Sequence, residues 1–291
     1  MAYGPFELVS YPCPLCGTAG GKILLRKSGV AVTTTFVVVR CRICDLVRVD
    51  PRIPNERIGE LYDGEYYCGR GFDRAVDYTA PTSTWTNAEN ERIIATVESA
   101  FGKAIQGARW LDVGCGTGTL IEAVRSRGGA AFGFDDSSAA LHLCRAKGIE
   151  ILTSAELAGM RGSFDVVSAI EVIEHVPDPV EFVRDLLSYA RVGGIVYVHT
   201  ENWNVIRWLP RTPYIMPEGH IQYFTPMTMR KLFARLSLRE AECFDRCWFV
   251  WRRLPTAVQY SIPADWLTGI RALVNTMCPG FSPFPVGVRT R

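Results

Sequence analysis

The chain has 291 residues, 48% hydrophobic and 21% charged, which suits one full α/β domain with a small appendage. Its net charge of +2 gives no whole-chain field for nucleic acid. No apolar run approaches the length that spans a bilayer, and there is no internal repeat or low-complexity tract.

The first ten residues have neither the basic start nor the apolar core of a signal sequence, so a reducing, cytoplasmic setting is expected for the 10 cysteines. Four of them form two Cys-x-x-Cys knuckles, Cys13-Pro-Leu-Cys16 and Cys41-Arg-Ile-Cys44, around a β-like stretch at 33–40. Two such pairs suit one tetrahedral zinc; two disulfides or free buried thiols are the alternatives. Gly17 and Asp45 follow the knuckles, where a left-handed residue is needed. A ribbon over 1–60 is too small to bury much surface, so zinc there would be structural, with no open coordination position. Its basic residues, among them Arg40, Arg42 and Arg48, keep an RNA-binding reading open beside that of a solvated surface. The other six cysteines are scattered; Cys243 and Cys247 are a second metal candidate or small apolar residues.

Residues 61–89 are read as a linker crossing the mouth of a site. Tyr66 and Tyr67 would cover a cofactor there or pack against the domain.

The most informative run is Leu111-Asp-Val-Gly-Cys-Gly-Thr-Gly118. An apolar strand carries Asp112 near its end, and Gly114, Gly116 and Gly118 alternate around Cys115 before a helix begins at Thr119. Glycines there let a ligand approach the backbone, and free amides at the helix start face it. Thr119 stands where a dinucleotide fingerprint needs its third glycine, and an acid leading into the turn suits a sulfonium better than a pyrophosphate. The run resembles motif I of the class I S-adenosylmethionine (SAM) methyltransferases.

Later elements extend the likeness. Ala131–Phe134 ends at Asp135, placed to hold the ribose hydroxyls; Asp136 competes for that role or caps the next helix with Ser137. A weak third strand at Ile149–Leu152 precedes Ser154-Ala155-Glu156, where the resemblance places adenine contacts. The strand Phe164–Ile170 suits burial on both faces and leads into Glu171-Val-Ile-Glu174-His175. That segment resembles the post-strand Glu-x-x-Glu-His of ubiquinone-type O-methyltransferases. A fifth strand, Gly194–Thr200, leads to Glu201. The fold expected is a Rossmann-like α/β sheet of seven strands over 90–291, with Asp112, Asp135, Glu171 and Glu201 at one edge.

On the acceptor side, Pro217-Glu-Gly-His220 and Thr225-Pro226 resemble a family segment that ends in a helix cap. His220 is expected as the base or acceptor-binding group, with Glu174 and His175 as pocket wall; structural roles for both histidines are the alternative. The aromatic-rich insertion at 248–284 is open to a lid, a lipid-facing patch, a homodimer contact or core packing. Last-strand residues are expected at Pro285–Arg289, paired with Phe244–Phe249.

The knuckles and the downstream Leu46-Val47, Leu61-Tyr62 and Tyr66-Tyr67 resemble bacterial methyltransferases with an amino-terminal zinc ribbon. This resemblance implies methyl transfer from SAM to oxygen, ahead of carbon, of a small-molecule acceptor such as a sugar or secondary metabolite. An RNA methyltransferase and a non-catalytic SAM-binding or zinc-scaffold protein are the alternatives.

Overall fold

A computed structural model describes residues 6–73, 77–80, 84–207, 215–236, 242–244 and 248–252. Of two compact units, Met1–Ala257 and Val258–Arg291, the second lies wholly outside the described residues, as does the expected strand at 285–289. The side chains of 242–252, Cys243 and Cys247 among them, lie outside too.

The ribbon has three strands, β1 (Lys22–Ser28), β2 (Thr35–Arg40) and β3 (Val47–Val49), paired antiparallel in that order. A 3-10 turn at Asn55–Leu61 leads to the short helix α1 (Gly64–Tyr67), capped by Asp63, whose carboxylate accepts from the Glu65 and Tyr66 amides. Helix α2 (Thr84–Phe101) opens the large domain.

Strands and helices then alternate: β4 (Arg109–Val113), α3 (Thr119–Ser126), β5 (Ala130–Phe134), α4 (Ser138–Ala146), α5 (Ser154–Gly159), β6 (Phe164–Ile170), α6 (Pro179–Tyr189) and β7 (Ala190–His199). Caps set the helix starts. Ser137 accepts from Ala140, and Asp178 caps α6 with Pro179 in its first turn, where a missing N–H costs nothing. After β7 come α7 (Trp203–Ile206), β8 (Gln222–Tyr223), α8 (Pro226–Arg235), β9 (Glu242–Phe244) and β10 (Trp248–Arg252).

The large sheet has the order β5-β4-β6-β7-β10-β9, parallel through β5, β4, β6 and β7, with β10 antiparallel to both neighbours. The expected third strand shrinks to one bridge, Ile151 to Gly133, on the outer edge of β5. Counting that bridge, the described residues supply seven positions in this sheet. Two expectations are corrected. The antiparallel strand is β10 itself, so residues 248–252 are sheet and not the start of an insertion. Arg191–Gly194 join β7 as a bulge, because the register jumps from Phe164–Ala190 to Val166–Ile195.

The ribbon is tied into this domain. Strand β8 extends the ribbon sheet by pairing with β3. Leu15, Cys41, Cys44 and Leu46 share one apolar core with Phe224, Met229, Leu232 and Phe233. On α8, Lys231 donates to the Cys44 carbonyl (2.8 Å) and Arg235 to the Leu15 carbonyl (2.8 Å), so one helix face grips both knuckles. Among the described residues no helix is long and apolar enough to cross a membrane.

Candidate functional site

Strand β4 delivers the chain into the glycine turn. Gly114 and Gly118 take φ of +73° and +76°, and a Cβ on them would fall 2.4 Å from Val172 Cγ2 and 2.3 Å from Ile149 Cδ1. Both therefore need glycine for conformation and for packing. At Gly116 (φ +52°) the Cβ position meets nothing within 4 Å, so the middle of the turn is open to a ligand.

The acid of the next strand closes onto this turn. Asp135 accepts from the Gly116 amide (2.9 Å) through Oδ2 and from the Ser137 amide (2.8 Å) through Oδ1. Burial pushes its carboxyl above the usual range despite these two bonds. Neighbouring Asp136 is exposed.

Asp112 sits deeper, 4% exposed. The Trp110 indole donates to Ser168 Oγ (2.7 Å), and Ser168 donates to Asp112 Oδ1 (2.6 Å). Burial pushes Asp112 up to about 7, with the Ser168 bond opposing and Asp135 adding to the shift. Ser168, one residue of an apolar strand, carried no signal in the sequence.

Ala155 and Glu156, expected near adenine, lie exposed at the start of α5. Glu156 is engaged in its own helix cap: Oε2 accepts from the Thr153 amide (2.8 Å) and hydroxyl (2.7 Å).

Residues 61–73 and 77–80 carry an aromatic cluster. Tyr62, Tyr66, Tyr67, Phe72 and Tyr78 meet edge-on or stacked, with centroids 4.9–5.7 Å apart. Tyr67 is buried, and burial, followed by the charge of nearby Asp135, raises its phenol.

Across the cleft edge, Glu171 follows β6 with a φ of +52°, an uncommon conformation for this residue. Its Oε1 lies 2.6 Å from His199 Nδ1. Burial, with Glu201 and Glu89 adding their charge, pushes Glu171 up to about 8, while burial lowers His199.

Glu174, His175 and His220 come together, each offering a ligand atom within 4.8 Å of the others, a set able to hold an acceptor or a divalent cation. The imidazoles of His175 and His220 meet edge-on at 4.7 Å. Glu174 is 1% exposed and faces the Glu171 carboxyl, and burial, followed by the Glu171 charge, raises its own carboxyl far above the ordinary range. The loop carrying His220 is held from both sides. Glu218 accepts from the Val30 and Ala31 amides of the ribbon's β1–β2 turn, and the buried Gln222 amide donates to the carbonyls of Ile173 (3.1 Å) and Val176 (2.6 Å).

The four knuckle cysteines place their sulfurs within 4.8 Å of one another, with Cys13–Cys44 and Cys16–Cys41 each at 3.4 Å. A zinc tetrahedron with ~2.3 Å bonds has edges of about 3.8 Å, so the donor set fits. Gly17 and Asp45 take φ of +74° and +67°, and their amides donate to Cys13 O (2.7 Å) and Cys41 O (3.2 Å).

A parallel sheet with a glycine turn after its first strand, an acid after its second and an antiparallel strand beside β7 fits the fold of a class I SAM-dependent methyltransferase. A family model described as a methyltransferase domain matches residues 85–239, over half of the chain, and the chain belongs to that family. It is 30% identical over 166 residues to the ubiquinone biosynthesis O-methyltransferase of Vibrio parahaemolyticus, covering 51% of this chain and 68% of that protein. Its identity to the Pseudomonas aeruginosa protein of the same name is 37% over 109 residues, 34% of this chain and 47% of the relative. The solved plantazolicin methyltransferase BpumL in complex with SAH is 19% identical, with a TM-score of 0.47 over 62% of this chain and 77% of that one.

Proposed function

We propose that this enzyme methylates an oxygen of a small-molecule acceptor, with Asp135 holding the cofactor ribose and Glu174, His175 and His220 bordering the acceptor. SAM supplies a methyl group on a sulfonium, which is already a good leaving group. The chain's residues therefore need to align the acceptor, exclude water and take one proton. The glycine turn, Asp112 and Tyr67 surround the cofactor in this reading. His220, 6% exposed and beside His175, is the base or binds the acceptor. Glu174 shapes the wall; its neutral form can donate a hydrogen bond to an acceptor oxygen.

The observation that carries the reading is the buried Glu174 carboxyl beside two imidazoles, on the loop next to the glycine turn. Relatives named O-methyltransferases support oxygen as the target atom. The four cysteines hold one structural zinc, and the knuckles serve the fold. Packing of both knuckles on α8 argues against a ribbon free to grip RNA. The test is transfer of labelled methyl from SAM to panels of hydroxylated small molecules and of RNA. Label on a small-molecule oxygen is expected. Label on RNA alone, or on no acceptor, overturns the proposal.

A further inference from the structure

The turn that carries His220 faces two ways. It closes at Met216, whose carbonyl accepts from the amides of Gly219 (3.1 Å) and His220 (2.7 Å). On one side of the turn, the Gly219 carbonyl oxygen lies 3.1 Å from His175 Nδ1, and the His220 ring meets the His175 ring edge-on. On the other side, Glu218 reaches into the ribbon. It is fully buried, and its Oε1 accepts from two successive amides of the β1–β2 turn, Val30 and Ala31 (3.1 Å). Successive amides in a turn form a concave donor site, and an oxygen buried this deeply needs such donors.

The ribbon turn closes tightly on that oxygen. A Cβ on Gly29 would fall 3.1 Å from Glu218 Oε1 and 2.5 Å from the Val32 carbonyl oxygen, so a side chain there has no room. Ala31, Val32 and Phe36 also share one apolar core with Met216, Ile221 and Tyr223. Beyond His220, the Val49 amide donates to the Ile221 carbonyl (2.9 Å), and Gln222 pairs with Arg48 in the ribbon sheet. His220 thus stands between two anchored positions, 218 and 222, and both anchors belong to the ribbon. The second anchor is backbone pairing. The first depends on one side chain.

We infer that Glu218 is a positioning residue: through Oε1 it lets the ribbon set where His220 stands against His175, which makes the ribbon a support of the acceptor site as well as of the fold. The acceptor role of His220 rests on the reading above; the dependence of its place on Glu218 does not. Glu218 takes no part in the transfer itself. Because both amide bonds fall on one oxygen, two variants separate its contribution. Glu218→Gln keeps an oxygen able to accept from both amides, and Glu218→Ala keeps none.

The test follows the imidazole signals of the full-length, zinc-loaded protein labelled with nitrogen-15, with S-adenosylhomocysteine added. The chain has 4 histidines, so single substitutions assign their rings. Glu218→Ala should displace the His220 and His175 signals and leave those of His199 in place, with S-adenosylhomocysteine affinity unchanged. Glu218→Gln should restore both. With an acceptor found in the panel above, kcat/KM for that acceptor should fall about tenfold or more in Glu218→Ala and recover in Glu218→Gln, while KM for SAM stays the same. Should Glu218→Ala fail to fold, Gly29→Ala, which crowds the same oxygen from the ribbon side, should displace the same two signals. Unmoved His220 signals in folded Glu218→Ala overturn the proposal, and so does a Glu218→Gln variant as disturbed as Glu218→Ala. Equal displacement of His199 would show a general loosening and overturn it too. Failure of the acceptor reading would appear separately, as absence of methyl transfer by the unsubstituted protein while His220 still responds to Glu218.

Discussion

The Asp135 carboxylate accepts a hydrogen bond from the Gly116 amide at 2.9 Å, so the acid after the second parallel strand is locked to the glycine turn after the first. This one bond joins the two parts of the proposed SAM site, which lie 19 residues apart in sequence. Any change that loosens the turn should therefore be felt at Asp135.

Gly114→Ala is the sharpest such change. A Cβ at φ +73° is strained, and it would sit 2.4 Å from Val172 Cγ2, a branched side chain with little freedom to yield. We expect a loss of about 2–4 kcal/mol in denaturant unfolding, together with weaker S-adenosylhomocysteine binding. Unchanged stability would contradict the packing described for the turn.

Asp112 should impose a pH dependence. Its carboxyl is pushed up to about 7 in the folded protein, mainly by burial. An acid with a raised folded pKa binds more protons folded than unfolded between the two values, so its contribution to stability falls as pH rises from about 4 to about 7. Relative to Asp112→Asn, which can still accept from Ser168, the unsubstituted protein should lose up to about 4 kcal/mol over that window. Urea unfolding of both proteins at about pH 5 and about pH 7 measures it. Parallel stabilities would refute the assignment.

Glu174→Gln separates stability from activity. It replaces a buried carboxyl that faces Glu171 by a neutral amide of the same shape. Melting should hold or rise, while methyl transfer should fall about 10²-fold or more with S-adenosylhomocysteine affinity retained. His220→Asn should show the same loss of transfer. Full activity in both variants would remove the acceptor role from this cluster.

One zinc per chain is expected by metal analysis, and Cys41→Ser should lose it and melt several degrees lower. Cys68→Ser, whose thiol lies outside the four-sulfur cluster, should keep the metal. Zinc retained in Cys41→Ser would contradict the assignment.

Local chemistry made part of this molecule legible in its sequence. The glycine turn, the acids at strand ends and the knuckle spacing are short patterns with few physical readings each. Pro179 and Pro226 marked their helix starts correctly for the same reason. Other features depend on contacts between distant segments. Tyr62 meets His175 across 113 residues and Glu218 meets Ala31 across 187, and neither pair has a spacing to find. Ser168 is one small polar residue in an apolar strand, and its meaning appears only once Trp110 and Asp112 flank it. Glu156 shows how a loop acid before a helix also serves as a cap, a role its spacing from Thr153 alone does not separate from ligand contact.

The most direct measurement is calorimetric titration of the zinc-loaded protein with S-adenosylhomocysteine, beside an Asp135→Ala variant of intact fold. Micromolar binding that weakens at least about tenfold in the variant, a loss of ~1.4 kcal/mol or more, is the predicted result. Equal affinity in the two proteins, or no binding by the unsubstituted one, would contradict the placement of the cofactor between Asp135 and the glycine turn.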